Sequence, residues 1–234
     1  MEEPPVGVAQ LQHLSRAKEQ DMRGCVAVVC ADTARYSMFA SALARLRKPV
    51  GTEVHFVTGS DREIGRNQLV TVMLKSGHDW LLFLDDDQIF GEDLLERLLA
   101  HNEDIVGALY MRRDAPFSPI AYEQELKDGR LMPLNLNEHP SGGLVKVVAV
   151  GTGGMLIKRR VFETLPQPWF KRELRSEDVV FCLDVAELFN VYVDLDTPMG
   201  HMTTTAVWPS KVPNGWAVGF KISEETNIVV PIES

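Results

Sequence analysis

The stretch WLLFLDDDQIF, Trp80 to Phe90, decides how this chain is read. Five consecutive apolar residues, Trp80 to Leu84, have the length and composition of a buried strand. Asp85, Asp86 and Asp87 follow at once, and like charges so close repel one another unless a cation or hydrogen-bond donors hold them. A metal site accounts for the cluster economically. An acidic loop pointing into water is the commoner fate of a short charge run, and on position alone the two readings stand equal.

Working upstream, CVAVVC (Cys25 to Cys30) is a β-branched apolar run that reads as a strand. The polar turn Ala31, Asp32, Thr33 and a helix from about Tyr36 to Leu46 follow it. Thr52 to Thr58 reads as a second strand ending in Gly59, Ser60 and Asp61, and Ile64 to Lys75 spaces Leu69, Val70, Met73 and Leu74 as one face of a helix. Downstream, Glu92 to Leu99 is the next helix and Ile105 to Leu109 a fourth strand. Strands alternating with helices predict a mainly parallel, doubly wound sheet with right-handed crossovers, in which ligands gather at the carboxyl ends of the strands. Asp32, Asp61 and Asp85 to Asp87 all fall at that edge. Three acidic turns on one edge favour a site over coincidence.

Between Met111 and Pro140 the pattern breaks into polar residues, prolines and glycines, read as loops with short strands and as an acceptor-side excursion. Order returns with Leu144 to Val150, the glycine-rich GTGG of Gly151 to Gly154, a short strand Met155 to Ile157 and a helix from Arg160 to about Leu165. GTGG lacks the lysine of a phosphate-binding P-loop and reads as a tight turn. Ser176 with Glu177 and Asp178 looks like an N-cap with acids in the first turn of a helix that runs to about Leu188. Val191 to Leu195 is a last strand, and the tail from Thr203 has no clear periodicity. The expected division is an N-terminal arm (1–22), a catalytic domain (23–205) with donor-binding (23–110) and acceptor (111–205) halves, and a tail (206–234) that packs on or lids the site.

A chain of 234 residues is long enough for one sizeable α/β domain. A net charge of −9 argues against nucleic acid as a partner by bulk electrostatics, although a local basic groove is compatible with it. Cys25, Cys30 and Cys182 are odd in number and without metal-ligand spacing, which suits free, buried thiols in a reducing compartment. MEEPPVGVAQ lacks a basic n-region and an apolar h-region, and no apolar run has the length of a membrane span; a soluble cytoplasmic protein is expected.

In order along the chain stand a strand ending in LDDD, a later GTGG before a short strand and helix, Ser-Glu-Asp at a helix start, and Gly200-His201. That order resembles the GT-A fold glycosyltransferases of the family-2-like group over roughly residues 25 to 205. The chain's small size and sequence style also resemble phage-encoded members, whose setting is the host cytoplasm. The resemblance implies a Rossmann-like, mainly parallel central sheet flanked by helices, and a nucleoside-diphosphate sugar donor, a UDP-sugar foremost. It further implies Mn²⁺ or Mg²⁺ on the leaving diphosphate, with Asp87 as direct ligand, Asp85 beside it or near the ribose, and His201 closing the shell.

By the same resemblance Asp178 is the catalytic base, with Glu177 the alternate. Each acid equally suits a plain helix-dipole role. Arg66 and Asn67 resemble the arginine-asparagine pair at the donor diphosphate, with an exposed helix arginine as the alternative. Asp32 and Asp61 are placed to bind the base or ribose, with Thr33 and Ser60 weaker candidates. Asp86 joins the donor-side set, although an extended segment would point it away and suit it to a structural hydrogen bond. Tyr110, Arg112 and Arg113 suit a place facing the acceptor or the phosphates, and Arg112 and Arg113 equally suit a solvated basic pair. The acceptor is a hydroxyl of a glycan, a protein or a modified DNA base, and a single displacement by the base would invert the anomeric centre. Two other classes share the pattern: a sugar-phosphate nucleotidyltransferase, whose glycine-rich basic signature CVAVVCADTARYSM does not supply, and a nucleotide-sugar-binding module without chemistry.

Overall fold

The computed structural model describes residues 22–30, 37–113, 116–203, 206–212, 215–221 and 227–231. Asp32 and Thr33, the start of the first helix at Tyr36 and the N-terminal arm up to residue 21 lie outside the described residues.

The main chain runs β1 (Gly24–Cys30), α1 (Ser37–Arg45), β2 (Glu53–Thr58), α2 (Arg62–Lys75), β3 (Trp80–Asp85), β4 (Gln88–Ile89), α3 (Leu94–Ala100) and β5 (Ile105–Leu109). After it come β6 (Ala121–Glu125), β7 (Leu131–Pro133), β8 (Leu144–Val147), β9 (Ala149–Val150), β10 (Gly154–Lys158), α4 (Arg159–Thr164), α5 (Glu177–Val185), β11 (Val191–Pro198) and β12 (Gly200–His201). The central sheet has seven strands in the order β2-β1-β3-β10-β5-β11-β8. β2, β1, β3, β5 and β11 point one way, while β10 and β8 run antiparallel to their neighbours. The mainly parallel sheet expected from the alternation is therefore present.

The continuous apolar runs follow from burial on both faces of this sheet. Along β1, Cys25, Ala27 and Val29 face one core with Leu69, Val70 and Met73 of α2, Phe162 of α4 and Phe181 and Val185 of α5. Val26, Val28 and Cys30 face the other core, with Phe39 and Ala42 of α1 and Leu94, Leu95 and Leu98 of α3. β3 alternates likewise, Leu81 and Phe83 to the first core, Trp80, Leu82 and Leu84 to the second. The three cysteines are buried and form no disulfide, and burial raises the Cys25 and Cys182 thiols to about 12.

The apolar run Leu144 to Val150 divides between two sheets: β8 edges the central sheet, while β9 turns away to pair with β6 in a small β7-β6-β9 sheet. The tail without visible periodicity forms an antiparallel meander of β13 (Ala206–Val212), β14 (Gly215–Lys221) and β15 (Asn227–Pro231). Prolines and glycines dilute its alternation, so backbone pairing, which leaves little compositional trace, makes the sheet. No helix among the described residues is long and apolar enough to cross a membrane.

Candidate functional site

A cleft of about 890 Å³ opens at the carboxyl ends of β1, β2 and β3. Its lining gathers Ser60 and Asp61 after β2, Asp85 to Asp87 after β3, Tyr110 after β5, Glu177 and Asp178 at the start of α5, and His201 of β12. Motifs more than a hundred residues apart thus meet in one cavity of the size that small ligands occupy.

The aspartate turn is held from several sides. The amide of Asp85 donates to the Gly153 carbonyl at 3.3 Å, and β4 pairs with β12 so that Gln88 faces His201. The Met202 amide donates to the Asp87 carbonyl at 2.8 Å. Asp86 and Asp87 lie in a turn rather than an extended segment, so strand alternation does not send Asp86 away. It is buried, at 8% exposure, and lines the cleft with its neighbours.

Asp87 and His201 form a pair. His201 Nδ1 lies 2.9 Å from the Met111 carbonyl, an acceptor, so Nδ1 donates there and Nε2 is turned toward Asp87 Oδ2 at 3.4 Å. Tyr110 meets the His201 ring edge-on at 5.5 Å and fixes its plane. Burial pushes the Asp87 carboxyl up, but His201 and Arg113, whose Nη1 donates at 2.9 Å, outweigh burial and hold it below the usual carboxylate range. Asp85 stands apart: it does not join Asp87 and His201 in a cluster of three ligand atoms within 4.8 Å. Its Oδ1 accepts instead from Arg66 Nη2 at 3.1 Å.

Arg66 is not an exposed helix arginine and does not line the cleft. It is 2% exposed, lies over the Phe83 ring at 5.4 Å, and donates through Nε to Glu177 Oε1 at 3.2 Å as well as to Asp85. One buried guanidinium therefore ties the end of β3 to the start of α5. Asn67 holds the neighbouring loop: its amide donates to the Glu63 and Phe170 carbonyls, and its Oδ1 accepts from the Trp169 and Phe170 amides. Asn67 is thus taken up within the fold, whereas Arg66 keeps one buried nitrogen, Nη1, without a hydrogen-bond partner.

Engagement with Arg66 also separates the two acids of α5. Both line the cleft, but Glu177 is buried and paired whereas Asp178 is partly exposed. Ser176 sits at the N-cap position without making a capping hydrogen bond; its side chain bonds the Asp178 carboxylate instead. Burial, with Glu177 adding to it, raises the Asp178 carboxyl above its ordinary value against the opposing pull of Ser176, Arg66 and the Val179 amide.

GTGG is a turn beside the cleft. The Tyr110 hydroxyl accepts from the Gly153 amide at 3.1 Å, and a Cβ on Gly151 would lie 2.0 Å from that hydroxyl, so glycine there lets Tyr110 seat under the aspartates. A Cβ on Gly200 would meet Ile89 at 3.6 Å, an ordinary contact, so packing does not demand glycine beside His201. Of the basic residues, Arg113, Arg172 and Arg175 reach the cleft, while Lys158, Arg159 and Arg160 pair elsewhere with Asn102, Glu163 and Asp104. Arg112 acts on Tyr122. Arg62 and Glu63, also in the lining, went unread because the first turn of a helix carries charges for many reasons.

The chain matches no protein-family model and no curated protein in sequence. In structure it is similar to A197 from STIV, with a TM-score of 0.57 at 14% identity over 90% of this chain and 95% of that one. It is also similar to GalNAc-T7, solved with UDP, GalNAc and Mn²⁺, with a TM-score of 0.51 at 13% identity over 76% of this chain and 43% of that one. The fold is of the GT-A type, a large central sheet of mostly parallel strands flanked by helices.

Proposed function

We propose that this chain is a metal-dependent glycosyltransferase that moves a sugar from a nucleoside diphosphate, UDP foremost, to an acceptor hydroxyl with inversion. The observation that carries the reading is one cleft that faces a carboxylate-imidazole pair, Asp87 and His201, toward the same space as a carboxylate of raised pKa, Asp178. The fold type agrees with it.

Asp87 and His201 would hold Mn²⁺ or Mg²⁺, and the nitrogen ligand favours Mn²⁺. The cation supplies neutralisation of the charge that develops on the departing diphosphate. Arg113, Arg172 and Arg175 border the same space and attract that anionic group. Asp178 takes the proton of the acceptor hydroxyl. Its raised pKa makes it a stronger base than a free aspartate. Glu177 is the poorer base because Arg66 already occupies it. Arg66 is a positioning residue, setting Asp85 and α5 relative to each other, and Asp61 and Ser60 line the side where the nucleoside would lie. The acceptor is a hydroxyl on a glycan, a protein or a modified DNA base.

The test is release of nucleoside diphosphate from a panel of UDP- and other nucleotide sugars with Mn²⁺, with and without acceptor hydroxyls. Turnover in the parent chain and its loss in Asp87→Ala are expected; full metal-dependent turnover in Asp87→Ala would sink the assignment. UDP binding without turnover of any donor would leave a nucleotide-sugar-binding module as the better reading.

A further inference from the structure

At the far end of the sheet from the cleft, three metal-ligating side chains converge that the glycosyltransferase reading does not use. Glu53 and His55 sit two residues apart on β2, so they project from the same face of an edge strand. His78 arrives from the turn between α2 and β3, where Gly77 takes a φ of +71° that a side-chain-bearing residue rarely adopts. The backbone there is held on both sides: the His78 amide donates to the Met73 carbonyl at 3.2 Å, and its carbonyl accepts from Arg159 Nη1 at 3.3 Å.

His55 Nε2 lies 2.9 Å and His78 Nε2 3.2 Å from the same oxygen, Glu53 Oε2. One ligand atom from each residue falls within 4.8 Å of the others; among the described residues this is the only such group of three. Ligands at about 2.0–2.2 Å around a tetrahedral ion stand roughly 3.3 Å from one another, so these separations need only small adjustments to admit one. His78 is 2% exposed, and its Nδ1 has no hydrogen-bond partner. The imidazole is thus fixed by its surroundings, with its other nitrogen aimed at Glu53. The Glu53 side chain is 51% and the His55 side chain 30% exposed, which gives an ion a route in from solvent and room for a water in the fourth position.

We propose that Glu53, His55 and His78 bind a single transition-metal cation of the Zn²⁺ class, pinning edge strand β2 to the α2–β3 turn. Two imidazoles and one carboxylate suit Zn²⁺, Co²⁺ or Ni²⁺ better than the hard Mg²⁺ or Ca²⁺. Along β2, His55 stands about 10 Å and Glu53 about 17 Å from the cleft end of the strand. It therefore does not compete with Asp87 and His201 for the same ion, and it stands whether or not the chain transfers sugars.

The experiment titrates ZnCl₂ into full-length protein carrying Asp87→Ala, which removes the cleft's own carboxylate, and follows heat and thermal midpoint. One Zn²⁺ per chain is expected, with the midpoint rising by roughly 5–10 °C at a hundredfold excess over Kd. Adding His55→Ala, or separately Glu53→Gln, weakens that binding by at least about 100-fold, the most that a merely supporting residue would cost. Both side chains are exposed enough for the variants to fold, which far-ultraviolet circular dichroism checks. Co²⁺ in place of Zn²⁺ gives visible bands that the same variants abolish. Absence of stoichiometric Zn²⁺ binding in the Asp87→Ala protein, or unchanged binding after His55→Ala, overturns the proposal.

Discussion

Replacing Arg66 with methionine removes the cation that Asp85 and Glu177 share. The guanidinium is 2% exposed, the Glu177 side chain 7% and the Asp85 side chain 32%. Removing one partner of a buried ion pair costs about 3–5 kcal/mol, because the remaining charge keeps its desolvation penalty without its counterion. Asp85 is open enough to recover water and Glu177 is not, so the cost falls at the lower end, about 3 kcal/mol. In a chain of this length that is a fall of roughly 6–12 °C in thermal midpoint. Urea unfolding followed by circular dichroism measures it, provided the slope of the transition is unchanged. The cause is tested by adding Glu177→Gln, which removes the stranded charge while keeping its shape. The double variant should be more stable than Arg66→Met alone by about 1–2 kcal/mol, a coupling of the size that residues in one network show. A loss under about 1 kcal/mol in Arg66→Met, or a double variant no better than the single, would refute the view that this arginine holds two stranded carboxylates.

Asp178→Asn should abolish acceptor-dependent turnover and yet stabilise the fold. Burial raises the Asp178 carboxyl in the folded chain above its unfolded value, so the stability it contributes is complete below the unfolded pKa and is lost as pH rises through the folded one. Asparagine escapes that loss, so its advantage in urea midpoint appears near neutral pH and vanishes below about pH 4; an equal advantage at both would contradict the sign. Gly151→Ala, whose Cβ would lie 2.0 Å from the Tyr110 hydroxyl, should cost about 1–3 kcal/mol by overpacking, read in the same urea assay. Because Tyr110 also orients His201, that variant should weaken Mn²⁺-supported UDP binding in calorimetry; full affinity would disconnect the turn from the site.

The strand-and-helix alternation from Cys25 to Leu109 was legible because burial on both faces of a sheet writes a continuous apolar run, and the helices that cover it carry their own spacing. Trp80 to Leu84 and Leu69 to Met73 are clear instances. The small β7-β6-β9 sheet and the C-terminal meander left no such mark, since their strands are short, partly exposed or broken by proline and glycine. At the site, strand-end position was enough to single out Asp61 and Asp85 to Asp87, and Asp178 and His201 were named only through the resemblance to the GT-A group; the fold places all of them around one cleft. They were not enough to assign partners.

Local sequence determines what a segment can become: an apolar run becomes a strand, and charged residues after it fall at the sheet edge where ligands collect. Which atoms then meet is a long-range matter. Arg66 was indistinguishable in sequence from an exposed helix arginine, and only the packing of α2 against β3 and α5 buries it between Asp85 and Glu177. That contact engages Glu177 and leaves Asp178 as the more exposed acid of the α5 pair, and the pairing of β4 with β12 brings His201 to Asp87. Glu53, His55 and His78 carried no signal at all, being divided between a strand and a turn that meet only when the sheet forms. The reason is physical: periodicity records burial, which each residue experiences singly, whereas a site is made of distances between residues, which exist only in the folded chain.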